Sequence, residues 1–307
     1  MPDRQKIVKA VIPAAGFGTR MLPATKALPK EMLPVAGKPL IQYAIEEAAA
    51  SGIETVILVV RNRKSLIQSH FDSDPALEDF LRERHLTAAA DDMHLLSELV
   101  DLRYVEQQRP LGLANAIICA RPLIGDEPFV VLLPDVIMVN SEPVTRQLIR
   151  ASEDYCGSVV AIRQIEPRDV ERHGIVQFQQ STMDRATAAI RVTGLIEKPL
   201  VGDAPSRLGV FGRYVLEPVI WDAIERTSPD ARGEVQLTDA LNVLCQKYSV
   251  LGFCFEGQHY DAGDPLGYLK ANIELSLGNP HLAQPLREYL ACLGPERASL
   301  ASPRRHT

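Results

Sequence analysis

Short apolar runs alternate with segments of helical periodicity along the first half of the chain. The apolar runs are rich in Val, Ile and Leu, which is typical of strands buried on both faces of a sheet; they cover residues 9–14, 55–60 and 129–133. Helical spacing of apolar residues predicts helices over residues 40–50, 64–70 and 113–121. Gly52 follows the first of these helices as a C-terminal cap. The alternation indicates βαβ units and a mainly parallel sheet.

The second half of the chain has a more mixed pattern. It predicts strands over residues 158–165, 174–178, 192–197, 209–216 and 250–257, and helices over residues 217–226, 238–247 and 265–277. Residues 72–100 are helical and polar, so we expect them to leave the sheet. The whole predicts an α/β fold with a Rossmann-like, mixed but mostly parallel sheet flanked by helices. We expect one catalytic domain over 1–277, and a C-terminal helical extension with a frayed tail over 278–307.

The composition limits the class of protein, its partners and its cellular location. The chain has 307 residues, of which 46% are hydrophobic and 23% charged, as in ordinary globular proteins. Its net charge of -6 argues against a general nucleic-acid binder. No apolar run approaches the roughly 20 residues of a membrane helix, and the polar start lacks a signal peptide pattern. The five scattered cysteines include no CxxC pair and indicate reduced thiols. We therefore expect a cytoplasmic protein without nucleic-acid or membrane partners.

Positive charge is concentrated between residues 12 and 39, against the sign of the whole chain. Glu31 alone opposes the basic residues of this segment, which are Arg20, Lys26, Lys30 and Lys38. A local basic cluster in an acidic protein indicates a small anionic ligand. Several prolines in the segment make a continuous helix unfavourable. The segment is therefore predicted to be an irregular loop whose lysines point at a triphosphate.

The stretch "KAVIPAAGFGTR" predicts a strand that runs into a glycine loop. A dinucleotide fingerprint would need a third glycine where Met21 stands, and the P-loop pattern is absent. Gly16 and Gly18 still allow backbone N–H groups to approach an anion, and Arg20 adds a planar fork for phosphate oxygens. The ordinary alternative is a tight strand-to-helix turn with solvated lysines.

Two further motifs carry candidate chemistry. Asp135 in "VLLPDVI" comes just past the carboxyl end of a buried strand, where ligands bind in open parallel sheets. A carboxylate there suits Mg²⁺, although a turn or helix-capping aspartate is the alternative. Glu197 and Lys198 in "GLIEKP" come at the end of a strand, where a surface ion pair is the ordinary interpretation.

The segment "GFGTRMLPATKALPKEMLPVAGKPLIQY" resembles the signature of the sugar-1-phosphate nucleotidylyltransferases. The likeness continues in order through "LPDVI", "IEKP", "GRYVL", "GEVQLTDAL" and "LGYLKA", so it covers roughly residues 7–277. The resemblance implies a nucleotide-diphospho-sugar transferase fold and a homodimer or homotetramer. It also implies transfer of a uridylyl group from UTP to glucose 1-phosphate with Mg²⁺, giving UDP-glucose and pyrophosphate.

The same resemblance implies roles for particular residues. The nucleotide-binding residues are Ala14, Ala15, Gly16, Gly18, Thr19, Lys26, Gln107 and Gly112. Gln107 would read the uracil edge, since its amide offers both a donor and an acceptor, and Gly112 would let a helix start approach the base. The metal ligands are Asp135 and Asp261, and the sugar site contains Gly174, Glu197 and Lys198. Arg20 and Lys30 would hold the β- and γ-phosphates, while Lys198 would align the attacking phosphate.

This chemistry explains the absence of a catalytic histidine or serine among the motifs. The second pKa of a phosphate monoester is about 6, so the nucleophile is already ionised and needs no general base. Positioning and charge stabilisation would then carry the rate. A relative using dTTP or another sugar 1-phosphate, and a non-catalytic sugar-nucleotide-binding protein, remain alternatives. Base preference stays open because Leu111 and Asn115 stand where the family commonly has a lysine and a histidine.

Overall fold

The computed structural model describes residues 5–61, 64–178 and 189–293. Within these ranges the strands are β1 (Lys9–Ala14), β2 (Pro34–Val35), β3 (Lys38–Pro39), β4 (Thr55–Val60), β5 (Asp101–Glu106), β6 (Phe129–Leu132), β7 (Val136–Val139), β8 (Ser158–Gln164), β9 (Gly174–Phe178), β10 (Ala189–Glu197), β11 (Leu208–Leu216), β12 (Val250–Cys254) and β13 (Gln258–Asp261). The α-helices are α1 (Leu40–Ala50), α2 (Lys64–Phe71), α3 (Pro75–Glu83), α4 (Thr87–Ser97), α5 (Leu113–Ile118), α6 (Arg121–Ile124), α7 (Val144–Tyr155), α8 (Ile220–Arg226), α9 (Leu237–Cys245), α10 (Pro265–Gly278) and α11 (Ala283–Cys292).

Nine of the described strands form one sheet in the order β5-β4-β1-β6-β11-β8-β12-β10-β9. The first four strands in this order, β5, β4, β1 and β6, are each parallel to the next. Parallel neighbours need crossover connections, and helices supply them here. Strand β11 runs antiparallel to both β6 and β8, and β10 runs antiparallel to β12 and β9. The predicted α/β class with a mixed sheet is confirmed. Its parallel character belongs mainly to the first half, although β8 and β12 are also parallel.

Helices cover both faces of the sheet, which explains the continuous apolar runs of the central strands. Every residue of β6 is buried. On one face, Ile45 of α1 and Leu148 of α7 pack into a buried cluster. On the other, Ile117 of α5 and Trp221 of α8 belong to a second cluster. The packing of this core positions the carboxyl ends of β1 and β6, which the candidate site follows in the chain.

Most predicted elements are found within a few residues of their expected ends, and two differ in kind. The helix expected over 113–121 is divided into α5 and α6. The strand expected over 250–257 ends at Cys254, and β13 follows it. Residues 72–100 form α3 and α4 as expected, and Gly52 has the positive φ, 90°, of a helix C-terminal glycine. The expected frayed tail lies outside the described residues. None of the helices in the described ranges combines the length and apolar character needed to cross a membrane.

Strand β13 determines the setting of Asp261. Asp261 ends this short strand, which was not predicted as a separate element and pairs antiparallel with β7. Asp261 lies opposite Val136 in this ladder, the residue after Asp135. The pairing was not predicted because each strand has only four residues, too few to show a clear alternation.

Candidate active site

The basic segment after β1 folds into three 3₁₀ turns, Thr19–Met21, Ala24–Lys26 and Lys30–Met32. The predicted absence of a continuous helix is confirmed. Gly18 has a positive φ of 64°, and a Cβ on it would lie 3.0 Å from Lys30 Cβ. The hydroxyl of Thr25 donates a hydrogen bond to the Gly18 carbonyl at 2.8 Å. The loop therefore folds back on itself and carries Lys30 beneath the glycines.

Lys30 reaches the carboxyl end of β6. Its Nζ lies 2.7 Å from Asp135 Oδ2 and 3.9 Å from Glu31 Oε1. Burial by itself would raise the pKa of Asp135, but the charge and hydrogen bond of Lys30 outweigh burial and lower it. Burial would likewise lower the pKa of Lys30, and its neighbours Asp135 and Glu31 reverse that effect and raise it. Both partners are therefore charged at neutral pH.

Asp135 and Asp261 converge on one point beside Gly263. The Asp135 carbonyl accepts from the Ala262 N–H at 2.8 Å, and Asp261 Oδ1 accepts from the Gly263 N–H at 2.9 Å. A Cβ on Gly263 would lie 3.0 Å from Asp261 Oδ1, 3.1 Å from Asp135 Oδ2 and 3.0 Å from an Arg20 nitrogen. Two carboxylates that face one small space are a donor set suited to Mg²⁺, which takes oxygen ligands and retains water.

Two cavities meet at Asp135. The first has a volume of about 450 Å³, and its lining includes Gly16, Gly18, Lys30, Gln107 and Asp135. The second, of about 250 Å³, is lined by Arg20, Asp135, Gly174, Glu197, Lys198 and Asp261 among others. Asp135 thus lies in the wall common to both, and the predicted nucleotide and sugar residues fall largely on opposite sides of it.

Gln107, which is buried, lines the first cavity. Its Nε2 donates to Asn115 Oδ1 at 2.8 Å and, more weakly, to the Gly112 carbonyl at 3.4 Å. Both bonds use the amide nitrogen, so Oε1 remains available as an acceptor. Gly112 has a positive φ of 97°, and a Cβ on it would lie 2.5 Å from the Val235 carbonyl oxygen. Close backbone packing therefore requires glycine at this position.

The second cavity is built on the β9–β10 ladder, in which Gly174 lies opposite Glu197. Glu197 Oε2 accepts from the Thr238 hydroxyl at 2.6 Å, and Glu197 Oε1 lies 3.0 Å from Lys198 Nζ. A Cβ on Gly174 would lie 3.3 Å from Glu197 Oε2. Lys198 has a positive φ of 46°, and its N–H donates to the His173 carbonyl. In a strand, the side chains of consecutive residues point to opposite faces. The turn at Lys198 instead brings the side chains of Glu197 and Lys198 to one cavity.

Two predicted nucleotide residues lie apart from these linings. Ala14 lies beneath the loop, where it lines a small cavity with Pro29 and Val60. Lys26 ends the second 3₁₀ turn, is exposed, and is not among the described residues that line either of the two cavities at Asp135. Arg20 lines the second cavity, although it was predicted with the triphosphate residues. Ala15 and Thr19 line the first cavity as expected.

Three residues at the site were not predicted from sequence. Glu31 is buried in the wall of the first cavity, and neither carboxylate oxygen has a hydrogen-bond partner among the described residues. Burial raises its pKa to about 7, despite Lys30. Arg172 lies 3.4 Å from Asp261 and also pairs with Asp264, while Thr238 orients Glu197. Only Glu31 had a sequence signal, as the single acid in a basic segment.

A family model described as nucleotidyl transferase matches residues 9–276. The chain belongs to the nucleotidyl transferase family. It is 44% identical over 287 residues to UTP--glucose-1-phosphate uridylyltransferase YngB of Bacillus subtilis (strain 168), covering 94% of this chain and 95% of that protein. Among solved structures, it is similar to a UTP-bound UGPase from Acinetobacter baumannii, with 36% identity and a TM-score of 0.85 over 93% of this chain and 99% of that one.

This nucleotidyl transferase is also similar to a UDP-glucose pyrophosphorylase solved in complex with UDP-glucose. The identity is 35% and the TM-score 0.79, covering 88% of this chain and 98% of the other. The family and enzyme class predicted from the ordered motifs are therefore confirmed.

Proposed function

We propose that this nucleotidyl transferase moves the uridylyl group of UTP onto glucose 1-phosphate, forming UDP-glucose and pyrophosphate. One observation carries the proposal: two cavities with different linings share Asp135 as a wall. Two separate polyanionic substrates can then approach one charged centre from opposite sides. The similarity to a UTP--glucose-1-phosphate uridylyltransferase supports the choice of UTP and glucose 1-phosphate.

The first cavity is proposed to hold UTP. Gln107 Oε1 is a suitable acceptor for the imide N–H of uracil, since Asn115 engages the amide nitrogen. The unpartnered oxygens of Glu31 suit the vicinal hydroxyls of a ribose, which would satisfy a buried carboxylate. The backbone of Gly16 and Gly18 and the charges of Lys30 and Arg20 would contact the triphosphate, and Lys26 would add to the positive field.

The second cavity is proposed to hold glucose 1-phosphate. Thr238 fixes one oxygen of Glu197, and the carboxylate can accept hydrogen bonds from neighbouring sugar hydroxyls. The Gly174 backbone leaves room beside that carboxylate. Lys198 is half exposed at the cavity wall, where its ammonium group can neutralise and align the sugar phosphate.

The reaction proposed is an in-line displacement at phosphorus. A phosphate oxygen of glucose 1-phosphate bonds to the α-phosphorus of UTP, and the bond from that phosphorus to the oxygen of pyrophosphate breaks. No side chain needs to remove a proton, because the attacking phosphate is already ionised. Lys30 and Arg20 would stabilise the charge that develops on the leaving pyrophosphate, and Lys198 would orient the nucleophile.

Asp135 and Asp261 are the residues proposed to hold Mg²⁺. The space beside Gly263, faced by both carboxylates, supports this assignment. Within the described residues, no group of three or more His, Cys, Asp and Glu forms an alternative metal cluster. When bound, the cation would offset the repulsion between the two phosphates. Lys30 and Arg172, which now pair with these aspartates, would turn toward substrate phosphates.

We further propose that the protein works in the cytoplasm as a homodimer or homotetramer. The five cysteines are free thiols, which suits a reducing compartment. Exposed apolar residues on the last two described helices, including Leu266, Leu269 and Tyr289, could be covered between subunits.

Pyrophosphate release tests the proposed substrates. Purified protein with Mg²⁺ is given UTP, dTTP, CTP, ATP or GTP, each against glucose 1-phosphate and galactose 1-phosphate. We expect the highest kcat/KM with UTP and glucose 1-phosphate, at least about tenfold above any other pair. No release with that pair, or faster release with another nucleotide, would overturn the proposal.

A further inference from the structure

A fully buried arginine lies beneath the loop that carries Asp135. Arg213 is on β11, opposite Leu132 of β6, and its residue has 0% exposure. Arg213 itself lines neither of the two cavities described above. A buried guanidinium is costly unless every donor is engaged, so its partners indicate what it does there.

The guanidinium clamps the loop on both sides of Asp135. Its Nη1 donates to the Leu133 carbonyl at 3.0 Å, and its Nη2 donates to the Val136 carbonyl at 2.9 Å. These carbonyls flank Pro134 and Asp135. Val136 also lies opposite Asp261 in the β7–β13 ladder. The guanidinium of Arg213 therefore fixes the backbone on both sides of Asp135. This backbone lies next to β13, the strand that carries Asp261.

A local irregularity in β11 aims Arg213 at this loop. The register between β11 and β8 shifts between Val210 and Tyr214. Gly212 has a positive φ of 59°, and a Cβ on it would lie 3.0 Å from the Leu133 side chain. The Leu133 N–H donates to the Gly212 carbonyl at 2.8 Å. A strand bulge re-aims side chains in this way and is frequent next to active sites.

Glu47 of α1 balances the buried charge and fixes its orientation. Arg213 Nη2 lies 2.7 Å from Glu47 Oε2, and Nε lies 3.1 Å from the same oxygen. Glu47 Oε1 accepts from both the N–H and the hydroxyl of Thr145, at 3.0 and 2.6 Å. Two helices, α1 and α7, thus hold the guanidinium in one position.

We propose that Arg213, oriented by Glu47, is a positioning residue that holds Asp135 at the spacing from Asp261 required by a divalent cation. The inference rests on the proposed function, in which these aspartates are the metal ligands. Stability alone does not require this pair, because buried ion pairs can often be replaced by apolar residues without loss. Lysine could pair with Glu47, but it lacks the planar fork that reaches both carbonyls.

The test is Mn²⁺ binding by full-length Arg213→Lys, with free Mn²⁺ followed by EPR at a saturating concentration of UDP-glucose. Side chains behind a metal ligand typically alter metal affinity by about 10- to 100-fold. We expect the Kd for Mn²⁺ to rise by that factor and kcat to fall, with KM for UTP changing less than about threefold. Trp221→Phe is the control for lost stability. Trp221 stacks on Phe129 at the other end of β6, so this variant should melt earlier but bind Mn²⁺ normally.

Further variants separate the possible outcomes. Wild-type Mn²⁺ affinity in Arg213→Lys would overturn the inference and leave the proposed function intact. Unchanged affinity in Asp135→Asn would instead overturn the proposed metal site itself. If Arg213→Lys does not fold, Arg213→Met combined with Glu47→Gln removes both charges while keeping an oxygen for Thr145. Weakened Mn²⁺ binding in that folded variant supports the inference, and normal binding contradicts it.

Discussion

Lys30 Nζ lies 2.7 Å from Asp135 Oδ2, an ion pair that joins residues 105 positions apart. It ties the basic loop after β1 to the end of β6, the two parts of the chain that form the wall of the first cavity. It also helps to keep a largely buried carboxylate charged: burial would raise the pKa of Asp135, but the charge and hydrogen bond of Lys30, together with a backbone hydrogen bond and the charge of Arg20, lower it. The ion pair therefore supports the proposal that phosphates and a cation bind here.

Replacing Lys30 by methionine keeps the length of the side chain and removes its charge. We expect kcat/KM to fall by about 10²- to 10³-fold, since a charged donor to the phosphates is lost. With the strongest interaction that opposes burial removed, the pKa of Asp135 should rise, so the acid limb of the kcat/KM profile should move to higher pH. The profile between pH 5 and 8 measures this shift. Lys6→Met, at an exposed pair with Glu54, is the matched control, and an unmoved acid limb in Lys30→Met would refute the argument.

Gly263→Ala tests the space between the two aspartates. The added methyl would lie about 3 Å from both carboxylates and from Arg20, so we expect weaker Mg²⁺ binding, seen as a higher Mg²⁺ requirement, and at least a tenfold loss of kcat. Gly202→Ala is the control, because nothing lies within 4 Å of a Cβ there. Titrating activity against Mg²⁺ compares the two. Equal Mg²⁺ requirements in both variants would show that this space is not the metal site.

Glu31→Gln tests the buried carboxylate through the pH dependence of stability. The pKa of Glu31 is raised from 4.5 to about 7 by burial, so the unfolded chain releases the proton before the folded protein does. The free energy of unfolding of the wild type should therefore decrease as pH rises from about 4.5 to 7, by on the order of 3 kcal/mol. Glutamine does not titrate. The Tm advantage of Glu31→Gln should grow between pH 5 and pH 8; a constant difference would contradict the assignment.

Asn115→Ala tests how the nucleotide base is recognised. Asn115 engages the nitrogen of the Gln107 amide, which orients Oε1 as an acceptor. Without Asn115 the amide can turn over and offer a donor to cytosine instead. We expect the kcat/KM ratio of UTP to CTP to fall by about tenfold, with little change in Tm. Asn140→Ala, at an exposed turn, should leave the ratio unchanged. A ratio unaffected by Asn115→Ala would mean that the base is read elsewhere.

Much of the fold could be predicted because local patterns decide it. Strands buried on both faces are short and continuously apolar, and the bounds of β1 and β4 agree with the prediction. The proline-rich basic segment also behaved as expected. The short β7–β13 ladder could not be predicted, since its stability comes from pairing between segments more than a hundred residues apart.

In the candidate site, too, some residues could be predicted from the sequence and others could not. Gly18 and Asp135 come shortly after strand ends, where parallel sheets gather functional residues, and Lys30 belongs to a basic segment in an acidic chain, so all three could be proposed before the structure. Arg213 and Thr238 act on other residues from distant elements, and nothing in their local sequence indicates this. The unpartnered oxygens of Glu31 likewise become visible only when the surrounding atoms are in place.

Isotope transfer tests the central claim most directly. Glucose 1-phosphate carrying ¹⁸O on its phosphate is incubated with UTP, Mg²⁺ and the protein, and the products are weighed by mass spectrometry. If the sugar phosphate in the second cavity attacks the α-phosphorus of UTP in the first, UDP-glucose retains all of the phosphate label and pyrophosphate carries none. Label in pyrophosphate, or no labelled UDP-glucose, would contradict the account.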